Sequence, residues 1–191
     1  MENLEDTDLI RAYANGDERA FELLVSRYVG PLYRFLFRLV RNAQTAEDLS
    51  QETFVKVWKS LKRYDPSKSF KAWIYAIARN TALDALRKKD PMTFTALERE
   101  DANGDDLNLA IDVEDTRPLP DELAAQEETA EALDRAMAHL PPKQQAVVLL
   151  HDAEGLTFQE IGDSLHESLN TVKSRYRRAV ERLKILLNTE K

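Results

Sequence analysis

Four polar side chains near the end of the chain have types and a spacing suited to binding nucleic acid. They are Lys173, Ser174, Arg177 and Arg178, within the stretch LTFQEIGDSLHESLNTVKSRYRRAVERLKILL, residues 156–187. Apolar residues recur there at three- and four-residue steps on both sides of a polar break, which predicts a short helix, a turn and a longer helix. The four polar residues fall on the other face of the longer helix, where such side chains bond to base edges and phosphates in the major groove. The stretch predicts a DNA-reading helix-turn-helix, with a solvated basic helix at the end of a bundle as the alternative.

A second cluster of polar side chains is acidic. Asp48 is followed by Gln51 and Glu52, at spacings that make the three residues neighbours on one face of a helix. Paired carboxylates can act as general acid and base, but that chemistry needs a concave apolar site, and these lie on a polar face. A solvated face and an acidic docking patch for a basic partner both remain open. The opposite face carries the apolar residues that we expect to be buried: Leu49, Phe54, Val57, Trp58 and Leu61.

Other kinds of reactive site are not indicated. The chain has no cysteine, so it offers no disulfide, thiolate metal ligand or thiol nucleophile. Its three histidines have no metal-binding spacing, and no glycine-rich phosphate loop or serine–histidine pair is present. We therefore expect no enzyme, no metal and no cofactor. The acidic start without an apolar signal core, and the lack of an apolar run of membrane-spanning length, predict a cytoplasmic protein without direct membrane insertion.

The distribution of charge explains how an acidic chain can still bind nucleic acid. The net charge is −7, yet residues 97–122 hold ten acidic and two basic residues, so the other 165 residues carry about +1. The acidic stretch also contains Gly104, Pro118 and Pro120, a composition typical of flexible linkers.

Helical periodicity runs through most of the remaining sequence, and no strand-like alternation or internal repeat is evident. The predicted fold class is therefore all-α. Because periodicity is lost from Asp90 to about Gln126, we expect two helical domains, residues 1–92 and 127–191, joined by a flexible acidic linker over 93–126.

Polar and helix-breaking residues predict where individual helices begin, bend or end. We expect Asp17 and Ser69 to cap helices, and Thr45 to open a capping box with Asp48. Gly30-Pro31 should bend or interrupt the helix in which it lies.

Two blocks of sequence, each quoted below in two parts, together resemble one family. DLSQETFVKVWKSL (Asp48–Leu61) and SFKAWIYAIARNTALDALRK (Ser69–Lys88) are similar to region 2 of sigma factors. LPPKQQAVVLLHDAEGLTFQEIGDSL and NTVKSRYRRAVERLK, within Leu140–Lys184, are similar to region 4. With only these two domains and a short linker, the chain resembles the extracytoplasmic-function sigma factors, the minimal branch of the sigma-70 family.

This resemblance implies a function and partners. Such a protein binds bacterial core RNA polymerase, at the clamp coiled coil of the largest subunit and at the flap, and it recognises and melts promoter DNA. An anti-sigma factor holds it in check and can retain it at the inner membrane.

The resemblance also assigns roles to individual residues. Asp48, Gln51 and Glu52 match the helix that docks on the clamp coiled coil, while Trp58 and Trp73 are assigned to the core by their helical phase. Capture of the unstacked −10 strand needs a cationic track and an aromatic ring that stacks on a base, and the matching residues are Arg63, Tyr64, Lys68, Ser69, Lys71, Tyr75, Asn80, Asp84 and Arg87. Recognition of the −35 duplex falls to Thr171, Lys173, Ser174, Arg175, Arg177 and Arg178, with Arg175 expected at the phosphate backbone.

A few positions depart from the family pattern. His166 stands in the turn where glycine is usual, Glu167 where an apolar residue is usual, and Asn170 at another common glycine. Because histidine tolerates a left-handed backbone better than most residues, we expect the turn to form. Asp84 lies where a neutral polar residue is frequent, and near DNA it would repel phosphate unless it accepted a hydrogen bond from a cytosine amino group.

Two other function classes share some of these features. A stand-alone transcription regulator with a sensing or dimerising N-terminal domain would also carry a helix-turn-helix, and a helical adaptor would bind basic proteins through the acidic segment. Three roles remain open for that segment itself. It can mimic nucleic acid in a basic channel of the polymerase, fold back on Lys173–Lys184 and weaken DNA binding, or serve as a plain tether.

Overall fold

The computed structural model describes residues 4–102 and 127–189, and over these ranges the chain is α-helical without a β-strand. The chain forms two compact units, Met1–Ala85 and Leu86–Lys191. The α-helices, in chain order, are α1 (Asp6–Ala14), α2 (Glu18–Val40), α3 (Ala43–Ser60), α4 (Phe70–Lys89), α5 (Pro91–Ala102), α6 (Glu127–Ala138), α7 (Pro142–Val148), α8 (Phe158–Leu165) and α9 (Leu169–Thr189). The all-α prediction is therefore confirmed.

Helix α2 supplies the central apolar surface of the first unit and packs against α1 and α3. Asp17 caps it as predicted, with the Arg19 N–H donating to Asp17 Oδ1 at 3.1 Å. Of the two outcomes predicted at Gly30-Pro31, a bend or an interruption, the interruption is wrong, since α2 continues to Val40. Tyr28 and Leu32 are buried on either side of this proline. Their packing offsets the loss of one main-chain hydrogen bond and the steric strain that proline introduces in a helix, about 3 kcal/mol together.

The start of α3 also differs from the prediction. Arg41 adopts the left-handed conformation that ends α2, and Asn42 follows in extended backbone. The Asn42 side chain then accepts a hydrogen bond from the Thr45 N–H at 2.8 Å, so the helix begins at Ala43. A capping box opened by Thr45 is therefore wrong, because Asn42 caps the helix first.

Helix α4 is capped by Ser69, as predicted. Its hydroxyl accepts a hydrogen bond from the Ala72 N–H at 3.2 Å. One face of α4 then enters the core of the first unit, where the ring of Tyr75 meets that of Phe35 edge-on at 5.2 Å.

The loss of helical periodicity from Asp90 does not prevent a further helix. Asp90 caps α5, since its carboxylate accepts from the Thr93 N–H at 3.0 Å, and Pro91 fits in the first turn. Within the second unit α5 packs against α7, and Phe94 is buried. Among residues 91–96, whose burial the structure describes, Phe94 is the buried one, and a single such residue gives no apolar period. The rest of the predicted linker, residues 103–126, lies outside the described residues.

The second unit is organised around α9, against which α6, α7 and α8 pack. A π-helical turn, Leu149–Ala153, follows α7 and leads to α8. The side chains at the centre of this unit are fully buried: Ala146, Val147, Phe158, Ile161, Val172 and Ala179.

None of the helices described here has both the length and the apolar character that crossing a membrane requires. In the same ranges, no group of three or more histidine or acidic residues is placed to hold a metal ion.

Candidate nucleic-acid and partner interfaces

The predicted helix-turn-helix is formed by α8 and α9. Thr157 and Glu160 make a reciprocal capping box at the start of α8, with the Glu160 N–H donating to Thr157 Oγ1 at 3.2 Å and the Thr157 N–H to Glu160 Oε2 at 2.9 Å. The helix ends at His166, which takes the left-handed conformation with φ 57°. Histidine therefore supports the turn at the position where the family usually has glycine, as predicted.

The N-terminus of α9 is fixed by hydroxyl groups. Ser168 Oγ accepts a hydrogen bond from the Thr171 N–H at 3.1 Å and lies 2.7 Å from Thr171 Oγ1. Thr171, one of the predicted −35 contacts, thus has its hydroxyl in the cap of the helix. The four residues first singled out in the sequence are partly exposed on the outer side of α9: Lys173, Ser174, Arg177 and Arg178.

Arg175 lies on the other side of α9 and is only 7% exposed. Its guanidinium donates to the carboxylate of Glu167 in the turn. The predicted contact between Arg175 and the phosphate backbone is therefore wrong for this conformation. Helical spacing could have indicated this, because Arg175 follows the buried Val172 by three residues and precedes the buried Ala179 by four.

Tyr176 connects α9 to the π-helical turn. Its hydroxyl donates to Asp152 Oδ1 and Oδ2 at 3.0 and 3.2 Å. Its ring packs edge-on against His151 at 5.1 Å and Phe158 at 5.0 Å, and burial raises the pKa of the Tyr176 phenol. His151 is itself buried and stacked on Phe158 at 4.1 Å, with Nδ1 2.8 Å from the Leu156 carbonyl oxygen.

The acidic cluster lies on the outer face of α3. Asp48, Gln51 and Glu52 are all exposed, as the spacing predicted. Gln44 Nε2 donates to Asp48 Oδ1 at 3.3 Å, and Lys56 Nζ lies 2.8 Å from Glu52 Oε1. Exposed pairs of this kind contribute little to stability, about 0–1 kcal/mol, and can exchange for a partner's charges.

Two apolar residues extend this acidic face toward the end of α3. Val55 is 48% exposed and Trp58 is 54% exposed. The predicted burial of Trp58 is therefore wrong, and the buried residue of the pair is its neighbour Val57, which is 1% exposed. Helical spacing predicted burial of Trp58 because this residue lies four residues after Phe54 and three before Leu61, both of which carry apolar side chains. The face consisting of Asp48, Gln51, Glu52, Val55 and Trp58 is called the α3 face below.

The predicted −10 loop connects a 3₁₀ turn, Leu61–Arg63, to α4. Arg63 and Lys68 are exposed, whereas Tyr64 is 8% exposed. The Tyr64 hydroxyl donates to the Lys68 carbonyl oxygen, and its ring lies 5.5 Å from Phe70. A base cannot stack on Tyr64 in this arrangement, so that part of the prediction is wrong. Burial raises the pKa of the Tyr64 phenol from 10.0 to about 12.

The predicted contacts on α4 divide between surface and core. Tyr75 is fully buried, so a stacking role for its ring is also wrong, although Lys71 lies above that ring with Nζ 5.9 Å from its centroid. Trp73, which was assigned to the core, is partly exposed and packs on Tyr64 at 5.1 Å. The remaining predicted residues share one exposed face at four- and three-residue steps: Asn80, Asp84 and Arg87.

Comparison with known proteins identifies the two units. The model of Sigma-70 region 2 matches residues 24–91, and the model of Sigma-70, region 4 matches residues 130–183. The chain belongs to the sigma-70 family. The ECF RNA polymerase sigma factor SigW of Bacillus subtilis is 30% identical over 175 residues, which are 92% of each chain. The ECF sigma factor SigE of Mycolicibacterium smegmatis is 35% identical over 174 residues, which are 90% of this chain and 64% of that protein.

Solved structures show the same fold. CnrH, in a complex with the cytosolic domain of CnrY, is 23% identical and aligns over 97% of this chain and 99% of its own, with a TM-score of 0.67. The sigma factor RpoE of Bartonella quintana, in a complex with the anti-sigma factor NepR, is 23% identical over 90% of this chain and 98% of its own, with a TM-score of 0.62.

Membership in the family separates the competing interpretations of the sequence. In this sigma factor the region 2 match spans α3, the loop after it and α4, which together carry the acidic cluster and the predicted −10 residues. A stand-alone regulator or a helical adaptor would leave that match unexplained. The sequence did not predict the exposure of two residues, Trp73, which is partly exposed, and Trp58, which is exposed. Both lie at positions where apolar helical spacing predicted burial.

Proposed function

We propose that this protein is an alternative sigma factor that binds core RNA polymerase and directs transcription initiation at specific promoters from within the cytoplasm. The observation that carries the proposal is the occurrence of both sigma regions in order, each on a unit with an exposed charged surface of its own. The α3 face is acidic and partly apolar, and the outer side of α9 is basic.

The α3 face is suited to docking on the clamp coiled coil of the largest polymerase subunit. Asp48 and Glu52 offer carboxylates to a basic partner, and Val55 and Trp58 offer exposed apolar area beside them. Tryptophan at the centre of an interface commonly contributes much of the binding free energy, while surrounding charges guide association. Gln51 adds an exposed amide on the same face.

The loop before α4 and the outer face of α4 are suited to the −10 element. Arg63, Lys68 and Lys71 provide cations for the backbone of a separated strand, and Ser69 caps the helix beside them. Because Tyr64 and Tyr75 are buried, Trp73 is the partly exposed aromatic ring in this part of the structure on which a base can stack. The polar face further along the helix is suited to the edge of the duplex: Asn80, Asp84 and Arg87.

The outer side of α9 is suited to the −35 element. Arg177 and Arg178 can each bond to guanine, and Lys173 and Ser174 can fix the register on phosphate. Thr171 lies at the helix N-terminus, where phosphate is favoured by the helix dipole. Docking of this unit on the polymerase flap would bring α9 to upstream duplex DNA.

Control by an anti-sigma factor is part of the same proposal. The two solved structures compared above are complexes, one of them with a named anti-sigma factor. An exposed, partly apolar α3 face is a surface that an inhibitor can cover so that polymerase cannot bind. An anti-sigma factor anchored in the inner membrane would also retain the protein there.

Run-off transcription tests the proposal directly. The full chain is mixed with bacterial core polymerase on a library of double-stranded promoters, and initiated transcripts are sequenced. We expect transcripts from templates that share two elements at a fixed spacing. Binding of the chain to palindromic duplex DNA as a dimer, without stimulation of polymerase, would contradict the proposal and favour a stand-alone regulator.

A further inference from the structure

A carboxylate in the turn of the helix-turn-helix is bonded to the inner side of α9. Glu167 follows the left-handed His166 and accepts a hydrogen bond from Nη1 of Arg175, two turns into the helix. The Arg175 side chain is 9% exposed and the Glu167 side chain 21% exposed. Because a guanidinium withdrawn from water needs a neutralising partner, the Glu167 carboxylate stabilises the inward position of Arg175 on the same side of α9 as the buried Val172 and Ala179.

The main chain of Glu167 is held by α8. Its N–H donates to the Gly162 carbonyl oxygen at 3.0 Å. A Cβ atom at Gly162 would lie 3.0 Å from the Glu167 carbonyl oxygen, so the turn passes unusually close to this helix. Glu167 is therefore joined to α8 through its main chain and to α9 through its side chain.

The neighbour of Arg175 is bonded to a second acid. Tyr176 donates to Asp152 in the π-helical turn at 3.0 Å. Consecutive residues of an α-helix point roughly 100° apart, so the two acids hold α9 from two directions and oppose its rotation about its own axis.

We infer that Glu167 is a positioning residue for −35 recognition, which acts through Arg175 by setting the rotation of α9. Ser174 precedes and Arg177 follows the pair Arg175 and Tyr176 on α9. The direction in which the Ser174 and Arg177 side chains point therefore depends on the same rotation of the helix. Arg175 itself does not contact DNA. The inference rests on the proposed function of α9 as the −35 reader.

Binding of holoenzyme to a duplex that contains the selected −35 element tests this role. We expect Glu167→Gln and Arg175→Met each to weaken specific binding at least tenfold. The charge-exchanged double variant, Glu167→Arg with Arg175→Glu, should recover most of that loss. Glu181→Gln removes the same charge from an exposed position of α9 and serves as the matched control, with unchanged binding expected.

Salt dependence separates positioning from phosphate contact. If Arg175 bound a phosphate, Arg175→Met would lower the slope of log affinity against log salt by about 0.9, and Glu167→Gln would leave affinity unchanged. That pair of results would overturn the inference. An unchanged slope together with weaker specific binding in both single variants would support it.

A distance measurement tests the same inference without promoter DNA. The chain has no cysteine, so spin labels can be attached at Gln159→Cys on α8 and Lys184→Cys on α9, both exposed positions. We expect a narrow distance distribution that broadens or shifts with Glu167→Gln and narrows again in the charge-exchanged variant. An unchanged distribution with Glu167→Gln would overturn the inference. If holoenzyme formed with the unsubstituted chain recognises no promoter and the distances still respond, the proposed function fails and the effect of Glu167 on the position of α9 stands.

Discussion

The hydroxyl of Tyr64 donates a hydrogen bond to the main-chain carbonyl of Lys68, across the loop that precedes α4. Both residues were expected to contact the melted −10 strand, but their side chains have different environments in the structure. Tyr64 holds the loop from inside, with its ring against Phe70 and Trp73. Lys68 keeps its side chain exposed. The loop is therefore held in shape while its cations face solvent.

Replacing Tyr64 by phenylalanine should separate these roles. Tyr64→Phe keeps the ring contacts and removes the hydrogen bond, which lowers the free energy of unfolding by about 1 kcal/mol. We expect slower promoter melting because Lys68 and Arg63 are then less well placed. Urea denaturation and a fluorescence assay of strand opening measure the two effects, and Lys62→Ala, at an exposed neighbouring position, is the control. Equal melting rates in Tyr64→Phe and the unsubstituted protein would contradict the role of the loop.

The buried phenol also makes a prediction about alkaline pH. Burial raises the pKa of Tyr64 from 10.0 to about 12 in the folded protein. Because the folded-state pKa lies above the unfolded one, the resulting stability is complete below pH 10 and is lost as pH rises toward 12. Tyr64→Phe should therefore lose stability less steeply in this window. Parallel stability curves for the two proteins between these pH values would show that Tyr64 is not buried in solution.

Alanine substitutions at two neighbouring residues of α3 should have opposite effects, one on stability and the other on polymerase binding. Val57 is buried and Trp58 is exposed, so Val57→Ala should lower the free energy of unfolding by about 2–3 kcal/mol. Trp58→Ala should leave stability nearly unchanged and weaken binding to core polymerase by roughly tenfold or more, as the loss of an aromatic interface residue does. Thermal unfolding and a polymerase-binding titration measure both variants. Strong destabilisation by Trp58→Ala would mean that its ring is packed in the core after all.

Charge reversal tests the acidic part of the same face. Asp48→Lys combined with Glu52→Lys should abolish core binding at physiological salt, because like charges would then meet across the interface. Glu18→Lys with Glu22→Lys changes the net charge equally at exposed positions of α2, and this control should bind normally. Binding that is equally strong in both double variants would rule out a contact at Asp48 and Glu52.

Helical periodicity predicted the fold class, and local capping groups predicted the starts of α2 and α4, where the side chains of Asp17 and Ser69 accept main-chain hydrogen bonds. Burial of individual side chains was harder to predict. Arg175 carries a charge that suggested the surface, yet its spacing from Val172 and the carboxylate of Glu167 bring it inside. Tyr64 is buried by tertiary contacts across a loop, and a loop has no periodicity from which burial can be read.

Arg177 and Arg178 provide the last test, on the outer side of α9. If each makes a bidentate bond to guanine, then Arg177→Ala or Arg178→Ala should lower the discrimination between the selected −35 element and a mutated one by about 1–3 kcal/mol, roughly 5- to 150-fold. Lys184→Ala removes a cation from an exposed position further along the same helix and should leave discrimination unchanged. Competition binding of holoenzyme to the two duplexes gives the ratio directly. A uniform loss of affinity for both duplexes, with a salt slope reduced by about 0.9, would instead assign the substituted arginine to phosphate.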